Sequence, residues 1–415
     1  MRRHPVRRFF RDKANALAGS WTINSIAYSI VYPFIPVYLY QTRHLPMEQA
    51  GLVFPVMASA SIFVPPLAGW LSDHLPRTWL MRAGQGGRAT IFLILALLIR
   101  VEAPFWLFCI FFFLNAGTGV IFENSADAYL SSVTTPAERP KAYSKIRIGT
   151  NIGWAAGPAL GAFLASLPYD WLFLMTAVIC FGSERYIRFV LPERKRVPGE
   201  ERDPGKRRIL FRGGGEGGAP LWKDRYIMAI LCGVFLMVML SSQLYSILSV
   251  YSTQVVGITK RNLGFVYFFN GFTIIIGQIP VTLLLTRLKI SHNWRLVIGT
   301  IFYFLGYFLL SFAHGFLDLV LSVIILTMGE IIVQVALYAV ITAAAPPERV
   351  GRYLSGWVLT RGVAASLGPY VGSLLFARFT AQPLALWSIL SSFGLLAAFV
   401  FAVIAKRRTG GSAAF

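Results

Sequence analysis

Thr327, Glu330, Gln334 and Tyr338 are spaced by three, four and four residues within an apolar run, so on a helix they share one face. Glu330 stands about fourteen residues in from one end of that run, which at 1.5 Å per residue is near the middle of a bilayer. A charge at that depth costs some kcal/mol unless it is paired, wet or neutralised by a proton. Arg361 lies at comparable depth in the following run. A Glu330–Arg361 ion pair that breaks and reforms would couple a proton or a charged substrate to a structural change; a permanent pair would only brace two helices. Glu123 and Asp127 lie one turn apart in an earlier run, and Lys145, Arg147 and Asn151 follow in the next. Two close carboxylates push one pKa upward, as a proton carrier requires. Two acids facing two bases would also make a gate, whereas near helix ends they can snorkel to water and merely brace the bundle. Asn24, Tyr28 and Tyr32 recur at i, i+4 and i+8 in the first run. The seventh run carries Ser242, Gln243, Tyr245, Ser246 and Ser249, and the fourth carries Asn115. Tyrosine walls suit a partly apolar substrate through stacking or cation–π contact. Interhelical hydrogen bonds account equally well for any one of these residues.

The elements that must position these groups are membrane helices. The 415 residues are 56% hydrophobic and only 14% charged, against about 25% charged in a soluble domain, and mean hydropathy is +0.61. At about 20 apolar residues per crossing, twelve spans are expected: 14–40, 48–72, 78–99, 104–133, 142–167, 169–191, 224–253, 262–286, 293–313, 316–344, 351–377 and 383–405. The fold class is thus an all-α integral membrane protein with two six-helix bundles, 1–191 and 224–415, joined by a Gly/Pro-rich charged linker at 192–223. The net charge of +21 comes from bases scattered over short loops. That is the positive-inside pattern, not a nucleic-acid surface, and with even parity it puts both termini in the cytoplasm of a cell (inner) membrane. Cys109, Cys180 and Cys232 sit in apolar runs and are expected as free thiols. The five histidines are dispersed, no phosphate-binding loop is present, and no metal, cofactor or catalytic constellation is expected.

The halves repeat each other. Arg139 and Tyr143 match Arg349 and Tyr353 at an offset of 210, and Gly157-Pro158-Ala-Leu-Gly161 matches Gly368-Pro369-Tyr-Val-Gly372 at 211. Tyr38 and Gln41 match Tyr251 and Gln254 at 213, and Trp79 and Gly84 match Trp294 and Gly299 at 215. Near-constant offsets at several places mark a parallel duplication, a design in which the substrate site lies between the halves near the midplane. Gly149, Gly153, Gly157 and Gly161 recur every fourth residue and form a side-chain-free ridge that admits a second helix backbone to backbone. Pro158 within the ridge frees a carbonyl and predicts a bend.

Two signatures resemble the major facilitator superfamily over essentially the whole length. Gly69-Trp-Leu-Ser-Asp73-His-Leu-Pro76-Arg77-Thr78 is similar to that family's loop motif, with Pro76 and Thr78 departing from it. Gly153, Gly157, Pro158 and Gly161 resemble the span-five motif of the twelve-span drug–proton antiporters. The resemblance implies alternating access, with spans one, four, seven and ten lining a cavity. It also implies a conformational latch at Gly69, Asp73 and Arg77, where Asp73 pairs with Arg77 or accepts from a helix N-terminus. Asn115 stands where those exporters carry a coupling arginine. The expectation is a secondary transporter, not an enzyme: proton-coupled export of a small amphipathic drug-like compound or metabolite by a monomer in the lipid bilayer. Uptake or facilitated movement of a polar metabolite or lipid-like molecule is the first alternative, favoured by Asn115. A non-transporting sensor or scaffold of the same fold is the second.

Overall fold

The computed structural model describes residues 12–135, 138–164, 167–191, 221–346 and 349–409. Among these the chain is helical, without strands. We number the long helices α1 (Lys13–Val31), α2 (Val53–His74), α3 (Arg77–Arg100), α4 (Phe105–Val133), α5 (Arg139–Leu164) and α6 (Tyr169–Val190) in the first half. The second half holds α7 (Arg225–Ser241), α8 (Lys260–Arg287), α9 (His292–Leu309), α10 (Phe316–Ala344), α11 (Val350–Phe379) and α12 (Pro383–Thr409). Nine helical segments among the described residues are long and apolar enough to cross a membrane; α5, α6 and α11 are not among them. They have the length of a crossing, so the expectation of twelve spans meets the apolarity criterion at nine places. The linker expected at 192–223 lies outside the described residues except for a short turn at Leu221–Lys223.

The helices begin where the sequence supplies caps. The Asp12 carboxylate accepts from the Ala14 amide at 2.9 Å, and Asp224 accepts from Tyr226 and Ile227. The Asp318 side chain turns back to accept from His314 and Gly315. Each satisfies amides that the first helical turn leaves orphaned. Two helices break at equivalent places of the repeat. The first continues beyond α1 through a 3-10 turn at Tyr32–Phe34 and a π turn at Tyr38–Thr42, with Pro33 and Pro36 removing donors. The seventh breaks through a 3-10 turn at Ser242–Tyr245 and resumes at Ile247–Gln254, with Ser246 at φ −118°, ψ −88°.

The glycine ridge faces α1. A Cβ on Gly153 would stand 2.9 Å from the Thr22 carbonyl oxygen, one on Gly157 3.0 Å from that of Ile26, and one on Gly161 2.7 Å from that of Ile30. Only hydrogen fits, and the Ser29 hydroxyl uses the proximity to donate to the Gly153 carbonyl at 3.0 Å. The helix runs unbroken through Pro158. The second half repeats the arrangement between α7 and α11: Gly368 lies against the Met239 carbonyl and Gly372 against Gln243 and Ile247. Buried aromatics fill each bundle, among them Phe92, Phe108, Phe112 and Phe173 in the first half and Tyr251, Tyr307 and Trp387 in the second. The halves meet where α5 packs on α8 and where α11 packs on α2 and the short Met47–Gly51 turn before it. At the first contact a Cβ on Gly271 would lie 2.5 Å from Ala155 Cα, and at the second Gly51 abuts Ser373.

Candidate functional site

The chain crosses between two faces: a terminal face, where Asp12, Arg77 and Arg139 lie, and a far face at the opposite helix ends. At the far face the halves are tied together. Gln41 Nε2 donates to Thr253 Oγ1 at 2.9 Å and to Gln254 Oε1 at 3.0 Å. Tyr40 packs edge-on against Phe376, and the Lys260 ammonium lies 3.9 Å from the Tyr169 ring centroid. At the terminal face, the hydrogen bonds and ion pairs among described residues include one between the halves: Arg147 Nη2 to Gln334 Oε1 at 3.3 Å. The flanking segments of α2, α8 and α11 are exposed there, including Phe63, Trp70, Ile279, Leu284, Val358 and Leu359.

Between the halves, at mid-depth, lies an aromatic floor. Tyr28 and Tyr32 stack at 5.1 Å, and Trp154 of α5 meets both at 5.8 and 6.1 Å. Tyr245 of the second half packs on Trp154 at 5.1 Å and on Tyr32 at 6.3 Å, and Tyr267 continues the series at 5.0 Å. The Tyr245 hydroxyl donates to Asn270 Oδ1 at 3.1 Å; Asn270 Nδ2 in turn donates to Thr327 at 2.8 Å and to Glu330 Oε2 at 3.4 Å. One polar chain thus runs from the floor to the Glu330 carboxylate. Glu330 is half-buried, while Gln334 and Tyr338 below it are exposed, as are Glu123, Asp127, Arg147 and Arg361. Arg361 is within Coulombic range of both Glu330 and Glu123, and Arg147 of Glu330. Exposed charged groups of α4, α5 and α11 and the half-buried Glu330 of α10 thus line one solvent-exposed space between the floor and the terminal face.

The expected Glu330–Arg361 pair is not formed. The ion pairs within 4.0 Å among the described residues are Arg82–Glu184, Lys145–Asp12 and Arg185–Glu184. Asn270 holds the carboxyl, and Arg361 stays in solvent between the two acids. The four-charge gate is not assembled either. Lys145 is taken by Asp12 at 2.6 Å and Arg147 reaches across to Gln334, so neither base meets Glu123 or Asp127. Burial pushes the Asp12 carboxyl up, but the hydrogen bond and charge of Lys145 together with the Ala14 and Asn15 amides hold it below its ordinary range. Three residues expected in the cavity serve packing. Asn24 is buried and accepts from Arg88 Nη1 at 2.6 Å and Gln85 Nε2 at 2.7 Å. Gln243 donates to the carbonyls of Met239 and Gly368 at 2.8 and 2.7 Å, and Ser246 donates to that of Ser242 at 3.0 Å. The helix break at Ser242–Tyr245 takes Gln243 and Ser246 out of the phase that regular spacing assigns them. Asn115 is buried, its Oδ1 without a partner among the described residues, and Asn151 is half-buried. Gly69 has open space around it, Asp73 is exposed, and Arg77 donates to the Ala128 carbonyl of α4 at 3.0 Å.

Asn270, Arg88 and Trp154 escaped the sequence reading; Asn270 is a neutral residue of α8, a helix to which that reading assigns no polar cavity residue. Arg88 is a buried arginine in the middle of α3, with its guanidinium 5.8 Å from the Tyr28 ring and pressed against Gly119 of α4, in Coulombic range of Glu123. A search for ionisable residues inside spans finds it, because it obeys the rule that singled out Glu330. Trp154 sits inside the glycine ridge, where tryptophan cannot be an interfacial belt residue.

The sequence profile described as the Major Facilitator Superfamily matches residues 17–369. An uncharacterized MFS-type transporter of Bacillus subtilis (strain 168), YqjV, is 25% identical over 388 residues, covering 91% of each chain. The multidrug resistance protein MdtG of Klebsiella pneumoniae (strain 342) is 21% identical over 372 residues, covering 86% of this chain and 85% of its own. Among solved structures, a bacterial homologue of the human lysosomal transporter Spinster, in an inward-facing and occupied conformation, superposes with a TM-score of 0.75 at 14% identity. It covers 96% of this chain and 97% of its own. The nucleoside transporter NupG superposes with a TM-score of 0.73 at 13% identity, covering 95% and 99%. The aromatic floor and the charged space beneath it therefore sit in a transporter scaffold, not an enzyme, and the chain belongs to the Major Facilitator Superfamily.

Proposed function

We propose that this transporter exports a small amphipathic compound in exchange for protons, with Glu330 as the proton site and the Tyr28, Tyr32, Trp154 and Tyr245 floor as the substrate platform. The observation that carries the reading is Glu330 itself. It is a mid-span, half-buried carboxyl joined through Asn270 to the floor, with no cation within 4.0 Å among the described residues. A carboxyl so placed can exchange its proton without first breaking an ion pair, and the charge it gains or loses is felt by the ring hydroxyls that would contact substrate. Arg88 adds support. It supplies a fixed positive charge beside α4 although that helix carries Asn115 where resembling exporters carry arginine.

On this reading both termini are cytoplasmic, the open mouth faces the cytoplasm, and the protein works as a monomer with twelve crossings in an inner membrane. The Gly69–Asp73–Arg77 corner acts as a latch between α2 and α4. The two bundles rock about the α5–α8 and α2–α11 contacts. The test uses proteoliposomes with a trapped pH dye and a panel of lipophilic cations, organic anions, sugars and amino acids. Proton movement evoked by one amphipathic class supports the reading. Tracer movement without proton movement overturns the coupling. Proton movement evoked only by sugars or amino acids overturns the substrate class.

A further inference from the structure

A groove of about 600 Å³ runs along the outer wall of the first half, between α3 and α6. Its floor is made of small residues, Ala83, Gly86, Ala89 and Ala177, and its rims of exposed Trp79, Leu93, Val178 and Phe181. Apart from the Tyr169–Lys260 contact at the far end of α6, neither α3 nor α6 packs substantially on the second half, so the groove opens away from the transport cavity, toward lipid. One end is charged. Arg82 Nε lies 2.7 Å from Glu184 Oε1, and Arg185 Nε lies 3.6 Å from Glu184 Oε2. The Arg185 guanidinium is held 4.9 Å from the Phe181 ring centroid.

Two arginines share one carboxylate, which leaves a net positive charge, and among the described residues Glu184 is the sole acid lining the groove. The Nη groups of both arginines have no protein partner among the described residues. Arg188 adds a third base one turn further along α6. From Arg82 to Leu93 is eleven residues of helix, about 16 Å at 1.5 Å per residue. That matches one leaflet, half of a hydrocarbon core about 30 Å thick. Trp79 at the charged end is the residue type that prefers the headgroup boundary.

We propose that this groove binds one acyl chain of an anionic membrane phospholipid, with the lipid phosphate on the free donors of Arg82 and Arg185. The charge selects the headgroup, and the depth of the small-residue floor seats the chain. Arg82 remains tied to Glu184 and positions the pair, while Arg185 is the base free to pivot onto phosphate. The site does not depend on the proton-coupling reading, because it touches none of the residues that reading uses.

The test is native mass spectrometry of the full-length protein released from vesicles of equal phosphatidylglycerol and phosphatidylcholine. Wild type should retain phosphatidylglycerol in preference. Arg185→Gln should lower that preference by about fivefold, the factor expected for one base against an anionic headgroup. Gly86→Trp should empty the groove of both lipids; a Cβ there meets nothing nearer than Glu184 Cγ at 4.0 Å, so the variant has room to fold. Ala83→Leu, a smaller obstruction, should give the same loss in part and serves if the tryptophan is not tolerated. Equal retention of the two lipids by wild type, or undiminished phosphatidylglycerol in both groove-filling variants, would overturn the proposal. Displacement of the lipid by millimolar inorganic phosphate would also overturn it, since a site held by the chain does not yield to the headgroup anion alone.

Discussion

Glu330→Gln separates charge from shape. Glutamine keeps an oxygen that can accept from Asn270 Nδ2, so the chain from Tyr245 through Asn270 survives the change. That bond is long, 3.4 Å, and losing its charge assistance costs about 1 kcal/mol or less. A carboxylate at mid-span carries a penalty of about 2.5–3.5 kcal/mol on insertion scales, which the neutral amide avoids. Thermal unfolding in detergent should therefore be unchanged or shifted slightly upward. In proteoliposomes the variant should lose substrate-evoked proton movement to background, while exchange of labelled for unlabelled substrate, which needs no net proton, continues. Glu330→Asp should fall between, because a carboxyl about 1.5 Å shorter leaves the Asn270 contact beyond hydrogen-bond reach. Full proton-coupled movement by Glu330→Gln would refute the assignment of the proton site. Loss of both exchange and thermal stability would refute the claim that the charge is dispensable for the fold.

The ridge offers a packing test. Gly157→Ala places a Cβ 2.9 Å from Ser29 Cβ and 3.0 Å from the Ile26 oxygen, which should cost about 1–3 kcal/mol; Ser29→Gly in the same protein should recover part of the loss, read as a double-mutant cycle in thermal unfolding. Arg88→Met removes the bond to Asn24 and should destabilise by about 1–2 kcal/mol, with transport slowed as well; an unaffected variant would make Arg88 a bystander. Gln41→Ala deletes both hydrogen bonds of the far-face seal. At a net 0.5–1.5 kcal/mol each, the equilibrium should shift about 5- to 150-fold toward opening at that face. Spin labels at Thr42 and Ile258 should report a second, longer distance, and an unchanged distribution would contradict the seal.

The duplication and the packing face of span five were legible because both rest on spacing, which a sequence states directly. Four glycines at intervals of four can only share a face, and the structure puts that face against α1. Side-chain partners were not legible in the same way, since they depend on how each helix is rotated and where it breaks. Gln243 and Ser246 were assigned to the cavity on regular helical spacing, but the 3-10 turn at Ser242–Tyr245 resets the phase: Gln243 reaches the Gly368 carbonyl across the α7–α11 seam and Ser246 bonds within its own segment. The ion pair of Glu330 with Arg361 followed from equal depth alone, and depth says nothing about azimuth. Asn270, a neutral residue on another helix, reaches the carboxyl first. Arg88 was within reach of the same rule that found Glu330.

The hydrogen bonds that close the far face join amide and hydroxyl groups, none of which gains or loses a proton in the physiological range. The bonds of that seal thus have a strength that does not titrate, and His44, which lines the same small cleft as Gln41 and Gln254, is the titratable group beside them. Acidifying the medium should leave these bonds alone and act on His44 and on the carboxyls in the space beneath the floor. With His44→Gln, a pH–activity curve for this transporter would be a titration of its interior, uncontaminated by its door.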